Sequence, residues 1–161
     1  VLISLESYED ALTYAEQSLA LSNALNNEHE AATSLYTIAA IYRYMRDYEK
    51  ASSYANLALA QFRVLGLKRL EGMILYQLSV IFKELEEYEQ ALVNGQLSIE
   101  IFDQLGDLLG SAYSHIHLGD IHHVIDEPKE SENYWRTALQ LGEQISNSWV
   151  VDESKKRITL L

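Results

Sequence analysis

The chain has 161 residues, 48% of them hydrophobic and only one proline, so long helices and a sizeable core are possible. Its net charge of −12 argues against the basic surface that nucleic-acid binding needs, and no run of about 18 apolar residues is present to cross a membrane. The lack of cysteine excludes disulfides and thiol chemistry. No signal peptide is visible, which favours a cytoplasmic location, although a targeting signal could precede Val1.

The apolar residues follow a helical period along the whole chain. Leu35, Ile38, Ala39 and Tyr42 form one stripe at positions i, i+3, i+4 and i+7. Similar stripes predict helices at 8–25, 28–46, 48–65, 68–86, 88–105, 108–125, 128–145 and 149–161. Residues 1–6 are expected to be the tail of an earlier helix.

The sequence repeats itself every 40 residues. The pattern Tyr-Glu-x-Ala begins at Tyr8, Tyr48 and Tyr88, and the next position in phase is Pro128. Each unit therefore consists of two amphipathic helices joined by a short turn. Pro128 is expected to open the second helix of its unit. The second helices of two earlier units are expected to end at Leu65-Gly66 and Leu105-Gly106.

These units resemble the tetratricopeptide repeat family. Leu118-Gly119 occupies the Leu-Gly position of the family signature, and Ala51 and Ala91 occupy its small-residue position in the second helix. The 40-residue period is similar to long members in bacterial signalling proteins and G-protein signalling modulators. The resemblance implies an all-α fold, a right-handed superhelix of antiparallel helix hairpins. It implies a single array over 1–161, with a partial repeat at 1–27, repeats at 28–67, 68–107 and 108–147, and a capping or truncated helix at 148–161.

The resemblance also implies that the first helix of each hairpin lines a concave groove that holds a partner. By phase, the candidate partner-binding residues are Tyr36, Arg43, Tyr44, Met73, Tyr76, Lys83, Tyr113, His117, Asp120 and His123. Family members that grip a C-terminal carboxylate use Lys and Asn at positions that are Tyr36 and Ala40 in this sequence. An amphipathic helix or an extended apolar peptide therefore fits the groove better than a carboxylate clamp does.

Four histidines lie close together in one predicted helix: His115, His117, His122 and His123. No two of them are separated by four residues and no cysteine assists them, so packed, hydrogen-bonded roles are favoured over a metal site. The sequence contains no phosphate-binding loop after a strand and no nucleophile-elbow context for its serines. We therefore expect no metal, no cofactor and no enzymatic activity.

The leading interpretation is a protein- or peptide-binding interaction module, the scaffold or sensory input part of a larger signalling protein. The alternative is a peptide-sensing regulator of the quorum-sensing type. In both cases the partner is a protein or peptide ligand in the concave groove, with no nucleic acid and no membrane. Self-association through the exposed end helices is a further possibility.

Overall fold

The computed structural model describes residues 5–160, which form eight α-helices in succession and no strand. The helices are α1 (Leu5–Ala24), α2 (Glu28–Tyr44), α3 (Tyr48–Val64), α4 (Lys68–Glu84), α5 (Tyr88–Leu105), α6 (Leu108–Val124), α7 (Pro128–Gln144) and α8 (Ser148–Ile158). The predicted all-α architecture of antiparallel hairpins is confirmed. The bounds of the individual repeats stay a prediction.

The prediction was wrong at the start of the chain. Residues 5–7 belong to α1 and continue directly into it, so they are not the tail of an earlier helix. Residues 1–4 lie outside the described part. Several helices also end earlier than predicted; α2, for example, ends at Tyr44 because Arg46 has a positive φ of 62° that no right-handed helix can contain.

All seven turns contain a residue in the left-handed conformation, and these residues are 20 positions apart. They are Asn26, Arg46, Gly66, Glu86, Gly106, Asp126 and Ser146, with φ between 53° and 68°. Gly66 and Gly106 occupy this position without strain, as predicted for residues that end helices. The next helix often begins with a cap: the Asp47 side chain accepts a hydrogen bond from the backbone N–H of Lys50.

The helices pack in a linear order. Each helix contacts its neighbours along the chain, and the even-numbered helices also contact one another in the pairs α2–α4, α4–α6 and α6–α8. No such contact joins the odd-numbered helices within the described part. In a superhelix of hairpins, the helices that contact their counterparts in the next hairpin lie on the inner side. The helices α2, α4, α6 and α8 therefore line the concave face.

Small residues occupy equivalent positions in the three hairpins α2–α3, α4–α5 and α6–α7. The three pairs are Ala39 with Ala51, Ser79 with Ala91 and Gly119 with Ser131, and all six residues are buried. The Ser79 hydroxyl donates to the carbonyl oxygen of Ala91 at 2.6 Å, and the Ser131 hydroxyl donates to that of Gly119 at 3.0 Å. In both hairpins a serine hydroxyl thus bridges the two helices; it comes from the first helix at Ser79 and from the second helix at Ser131.

The large side chain of Trp135 leaves no room for a Cβ atom at Gly119. A Cβ atom at Gly119 would lie 2.5 Å from both Cδ1 and Nε1 of Trp135, which is 1% exposed. The residues in phase with Trp135 are Gly95 and Ala55, so this hairpin combines the smallest residue with the largest. The prediction that Gly119 lies at a tight helix contact is confirmed.

Candidate functional site

The concave face contains an apolar pocket of about 290 Å³ between α2, α4 and α6. We call it the Tyr113 pocket, and its lining residues are Tyr36, Arg69, Met73, Tyr76, Phe102, Asp107, Leu109, Gly110 and Tyr113. Four of these were candidates from the sequence. Tyr36, Met73, Tyr76 and Tyr113 come from three different helices, and the curvature of the array brings them together.

A second pocket of about 230 Å³ adjoins the first. We call it the Arg43 pocket, and it is lined by Tyr36, Ala40, Arg43, Tyr44, Met73, Tyr76, Gln77 and Val80. Tyr36, Met73 and Tyr76 line both pockets, which therefore form one continuous groove. The groove is apolar toward Tyr113 and richer in hydrogen-bonding groups toward Arg43.

The tyrosines of the groove are neutral hydrogen-bonding groups. Burial raises the pKa of Tyr36 and Tyr76, so neither hydroxyl ionises near neutral pH. Both side chains are only partly buried, so a ligand can reach them. A tyrosine of this kind offers a ligand an apolar ring and a polar tip together.

His117 lies beneath the groove and packs against Tyr76. It is 8% exposed, and its ring meets that of Tyr76 edge-on with centroids 5.5 Å apart. Burial, with a smaller contribution from the nearby Lys83 ammonium, lowers the pKa of His117 to about 4, so the ring is neutral at neutral pH. His117 was a candidate for direct partner contact, but the structure places it beneath Tyr76.

Asp120 and His123 line neither pocket. Arg157 of α8 donates two hydrogen bonds to Asp120, from Nε to Oδ1 at 2.6 Å and from Nη2 to Oδ2 at 3.1 Å. Trp135 Nε1 donates a third, to Oδ1 at 3.0 Å. His123 is exposed, and its ring lies 5.5 Å from that of Trp135. Asp120 therefore links α6 to α7 and α8 through these hydrogen bonds.

Arg43 and Lys83, which lie on the concave helices, have no carboxylate partner in the described part of the chain. The Arg43 guanidinium lies over the Tyr44 ring, with Cζ 4.3 Å from the ring centroid. Tyr44 in turn stacks on Tyr8 at 6.1 Å. Both cations were candidates from the sequence, and Arg43 lines the groove.

Sequence reasoning missed several groove residues, among them Arg69, Gln77, Phe102 and Leu109. Arg69 and Leu109 are in phase 40 residues apart, one turn before Met73 and Tyr113 on their helices. Extending the groove stripe by that turn would have found them. Phe102 belongs to α5, a second helix, and nothing in the pattern of the first helices indicates it.

One serine–histidine pair raises the question of catalysis. Ser111 Oγ lies 3.3 Å from His115 Nδ1, but the same nitrogen lies 2.9 Å from the Ser111 carbonyl oxygen. Nδ1 therefore carries the proton that it donates to the carbonyl, and it is unavailable as a base for the hydroxyl. Ser111 is also 1% exposed, so no substrate reaches it.

His122 pairs with Glu127, since its Nδ1 lies 2.6 Å from Glu127 Oε2.

Across residues 5–160 no group of three or more acidic, histidine or cysteine side chains is placed to hold a metal ion. Over the same residues, no helix combines the length and apolarity needed to span a membrane.

Solved structures share this fold at low sequence identity. The apo form of RapI superposes with a TM-score of 0.86 at 21% identity, over 96% of this chain and 43% of that one. BtubC (BKLC) from P. vanneervenii gives 0.77 at 18%, over 92% and 63%. Aspartyl phosphate phosphatase F from Bacillus subtilis gives 0.75 at 14%, over 96% and 45%. The chain thus spans less than two thirds of the length of each of these three proteins.

No curated protein sequence matches the chain. A family model described as tetratricopeptide repeat matches it twice, at residues 1–63 and 30–104. The two matches together cover residues 1–104, well over half of the 161. With the helical hairpins, the phase of the small residues and the lining of the concave face, this match shows that the chain belongs to the tetratricopeptide repeat family.

Proposed function

We propose that the chain is an interaction module that holds a peptide or protein segment in its concave groove and catalyses no reaction. The observation that carries this proposal is the meeting of Tyr36, Met73, Tyr76 and Tyr113 in a partly open, mostly apolar groove. Aromatic and methionine side chains are enriched at protein interfaces because they supply contact area at modest entropic cost. In a larger signalling protein such a module would serve as scaffold or sensory input.

The test uses a positional-scanning library of short peptides with both ends capped, measured by fluorescence anisotropy. Binding should be concentrated in a subset of peptides with apolar side chains. Tyr76→Ala and Met73→Ala should each weaken it, by roughly 2 kcal/mol for the tyrosine if it acts as an anchor. The matched control is Glu100→Ala on the exposed side of α5, which should leave affinity unchanged.

Circular dichroism melting of every variant separates lost binding from lost fold. Met73→Ala is included because Tyr76 also covers His117, so its truncation alters the packing beneath the groove. If no peptide binds the wild type, or if folded Met73→Ala and Tyr76→Ala bind as the wild type does, the concave groove is not the working surface.

A second candidate is a peptide-sensing regulator, in which a short signalling peptide changes the pitch of the array. The feature that favours it is the linear packing, since within the described residues α1 and α8 share no contact that would fix the pitch. Small-angle scattering discriminates the two candidates. A change in the radius of gyration on peptide binding favours the regulator, and an unchanged radius favours the scaffold.

A further inference from the structure

We propose that the groove selects a segment carrying an acidic side chain, whose carboxylate binds Arg43 and Gln77 in the Arg43 pocket. The inference rests on the proposed function, because it names the chemistry of the ligand that the same groove takes. The ligand is a neutral or apolar peptide segment with one glutamate or aspartate, and an apolar side chain nearby enters the Tyr113 pocket.

The first observation is a pair of hydrogen-bond donors without acceptors. Nε of Arg43 and Nε2 of Gln77 are both buried, each with less than 1 Å² of exposed surface, and neither has a partner. Gln77 as a whole is only 5% exposed. Buried polar groups are almost always hydrogen-bonded, and an unpaired one destabilises the free protein. Arg43 and Gln77 both line the Arg43 pocket, so a ligand seated there lies beside both side chains.

The second observation is the distribution of charge. The protein carries a net charge of −12, yet among the described residues Asp107 is the one carboxylate that lines either pocket. Asp107 pairs with Arg69 at 2.9 Å, and Asp120 pairs with Arg157. Arg43 and Lys83 keep their positive charge without a carboxylate partner in the described part. The lining of the Arg43 pocket thus holds one cation and no carboxylate, and in an acidic molecule this favours one isolated carboxylate over a strongly acidic segment.

The depth of the donors favours an acidic side chain over a chain terminus. Arg43 Nε and Gln77 Nε2 lie below the surface of the pocket, whereas the two terminal guanidinium nitrogens are not among the buried unpaired atoms. A glutamate on its flexible stem can meet the terminal guanidinium nitrogens, and it reaches the two buried donors once the side chains that cover them move aside, while its backbone stays at the level of the Tyr36 and Tyr76 rings. A terminal carboxylate would have to carry the backbone itself into a pocket of about 230 Å³.

The pocket suits a carboxylate better than a neutral amide. A guanidinium can give a carboxylate two parallel hydrogen bonds, and these charge-assisted bonds are about twice as strong as neutral ones. The Gln77 amide contributes a third donor and no charge. The cation–π contact with Tyr44 holds the guanidinium at the rim of the pocket before the ligand arrives. Acidic ligands should therefore gain affinity over isosteric neutral ones.

The experiment compares matched peptides. The tightest capped peptides from the positional-scanning library are synthesised with glutamate, and again with glutamine at the same position. Their dissociation constants for the wild type are measured by fluorescence anisotropy. The glutamate peptide should bind at least about 10-fold more tightly, as expected for a charge-assisted hydrogen bond. Arg43→Gln should remove this preference and leave the affinity for the glutamine peptide nearly unchanged.

Arg136→Gln is the matched control. It makes the same change of charge on α7, where Arg136 pairs with Glu132 on the exposed surface, and it should preserve the glutamate preference. Equal binding of the glutamate and glutamine peptides to the wild type overturns the inference and leaves the proposed function standing. If no peptide binds, both are overturned. The glutamine peptides are also made with a free C-terminus; if these bind more tightly than the capped glutamate peptides, the carboxylate is terminal and the side-chain assignment is wrong. Because the wild-type comparison decides the matter, a misfolded Arg43→Gln variant does not obscure it.

Discussion

Ser98 and Ser114 face each other across the interface of α5 and α6, with their hydroxyl oxygens 3.1 Å apart. The same contact joins Ser18 to Ser34 at 2.9 Å between α1 and α2. Both pairs are 16 residues apart, and they are related by two 40-residue units. The contact is therefore part of the repeat, although Ala58 and Ile74 replace its residues in the one unit between.

Between α7 and α8 the same contact is half missing. Ser154 lies in phase with Ser114 and is fully buried, but its hydroxyl has no partner because Ala138 stands opposite. Ala138→Ser should supply one and stabilise the protein by about 1 kcal/mol, raising the melting temperature by roughly 2–4 °C. A double-mutant cycle with Ser154→Ala checks the mechanism. An equal gain in the Ser154→Ala background would show that the two hydroxyls do not interact.

Gly119→Ala should destabilise the protein by about 1–3 kcal/mol, with a larger loss for Gly119→Leu. Helix propensity alone predicts the opposite sign, since alanine stabilises a helix by about 1 kcal/mol relative to glycine. The loss arises because the new Cβ meets Trp135 at 2.5 Å. Urea unfolding measures the sign. A stabilised Gly119→Ala would mean that Trp135 moves aside at little cost.

His117 should make stability depend on pH between about 6.5 and 4. Burial lowers the pKa of His117 from 6.5 to about 4 in the folded protein, so in this window the unfolded state binds more protons. Stability is therefore fully present above about pH 6.5 and falls by about 3 kcal/mol as the pH approaches 4. His117→Gln should flatten this part of the curve of unfolding free energy against pH. Burial also lowers the pKa of His115, so some slope remains in the variant.

Glu86→Gly should stabilise the turn between α4 and α5 by about 0.5–1 kcal/mol. Glu86 has a φ of 61°, which costs a residue with a Cβ about 1 kcal/mol and costs glycine nothing. Glu86→Ala is the control for the loss of charge, and it should not stabilise. Conversely, Gly106→Ala should destabilise, because Gly106 has a φ of 67° at the equivalent turn. Melting temperatures of the three variants check the order.

The fold was predictable because two independent signals agree along the chain. The helical stripes located the helices to within about two residues in most cases, and the 40-residue phase identified Gly119 as a close contact. The error at residues 5–7 has a physical origin. Nothing in a short segment distinguishes the start of one helix from the end of another without the packing partner that decides it.

The groove was only partly predictable. Phase along a helix correctly indicates which side faces inward, and it placed Tyr36, Met73, Tyr76 and Tyr113 in one groove. It does not indicate depth, so it failed to separate His117, which lies under Tyr76, from its exposed neighbours. It also does not indicate pairing. Arg157 neutralises Asp120 from 37 residues away, and only the tertiary structure shows this contact.

The left-handed residues recur every 20 positions, whereas the small-residue joints recur every 40. A duplication or deletion of 20 residues would preserve the geometry of every turn. It would nevertheless exchange inner helices for outer ones beyond that point, and the small residues would no longer meet. Only steps of 40 residues keep both periods in register. An array of this sequence type can therefore grow or shrink only by whole hairpins, and each added hairpin lengthens the concave face by one inner helix.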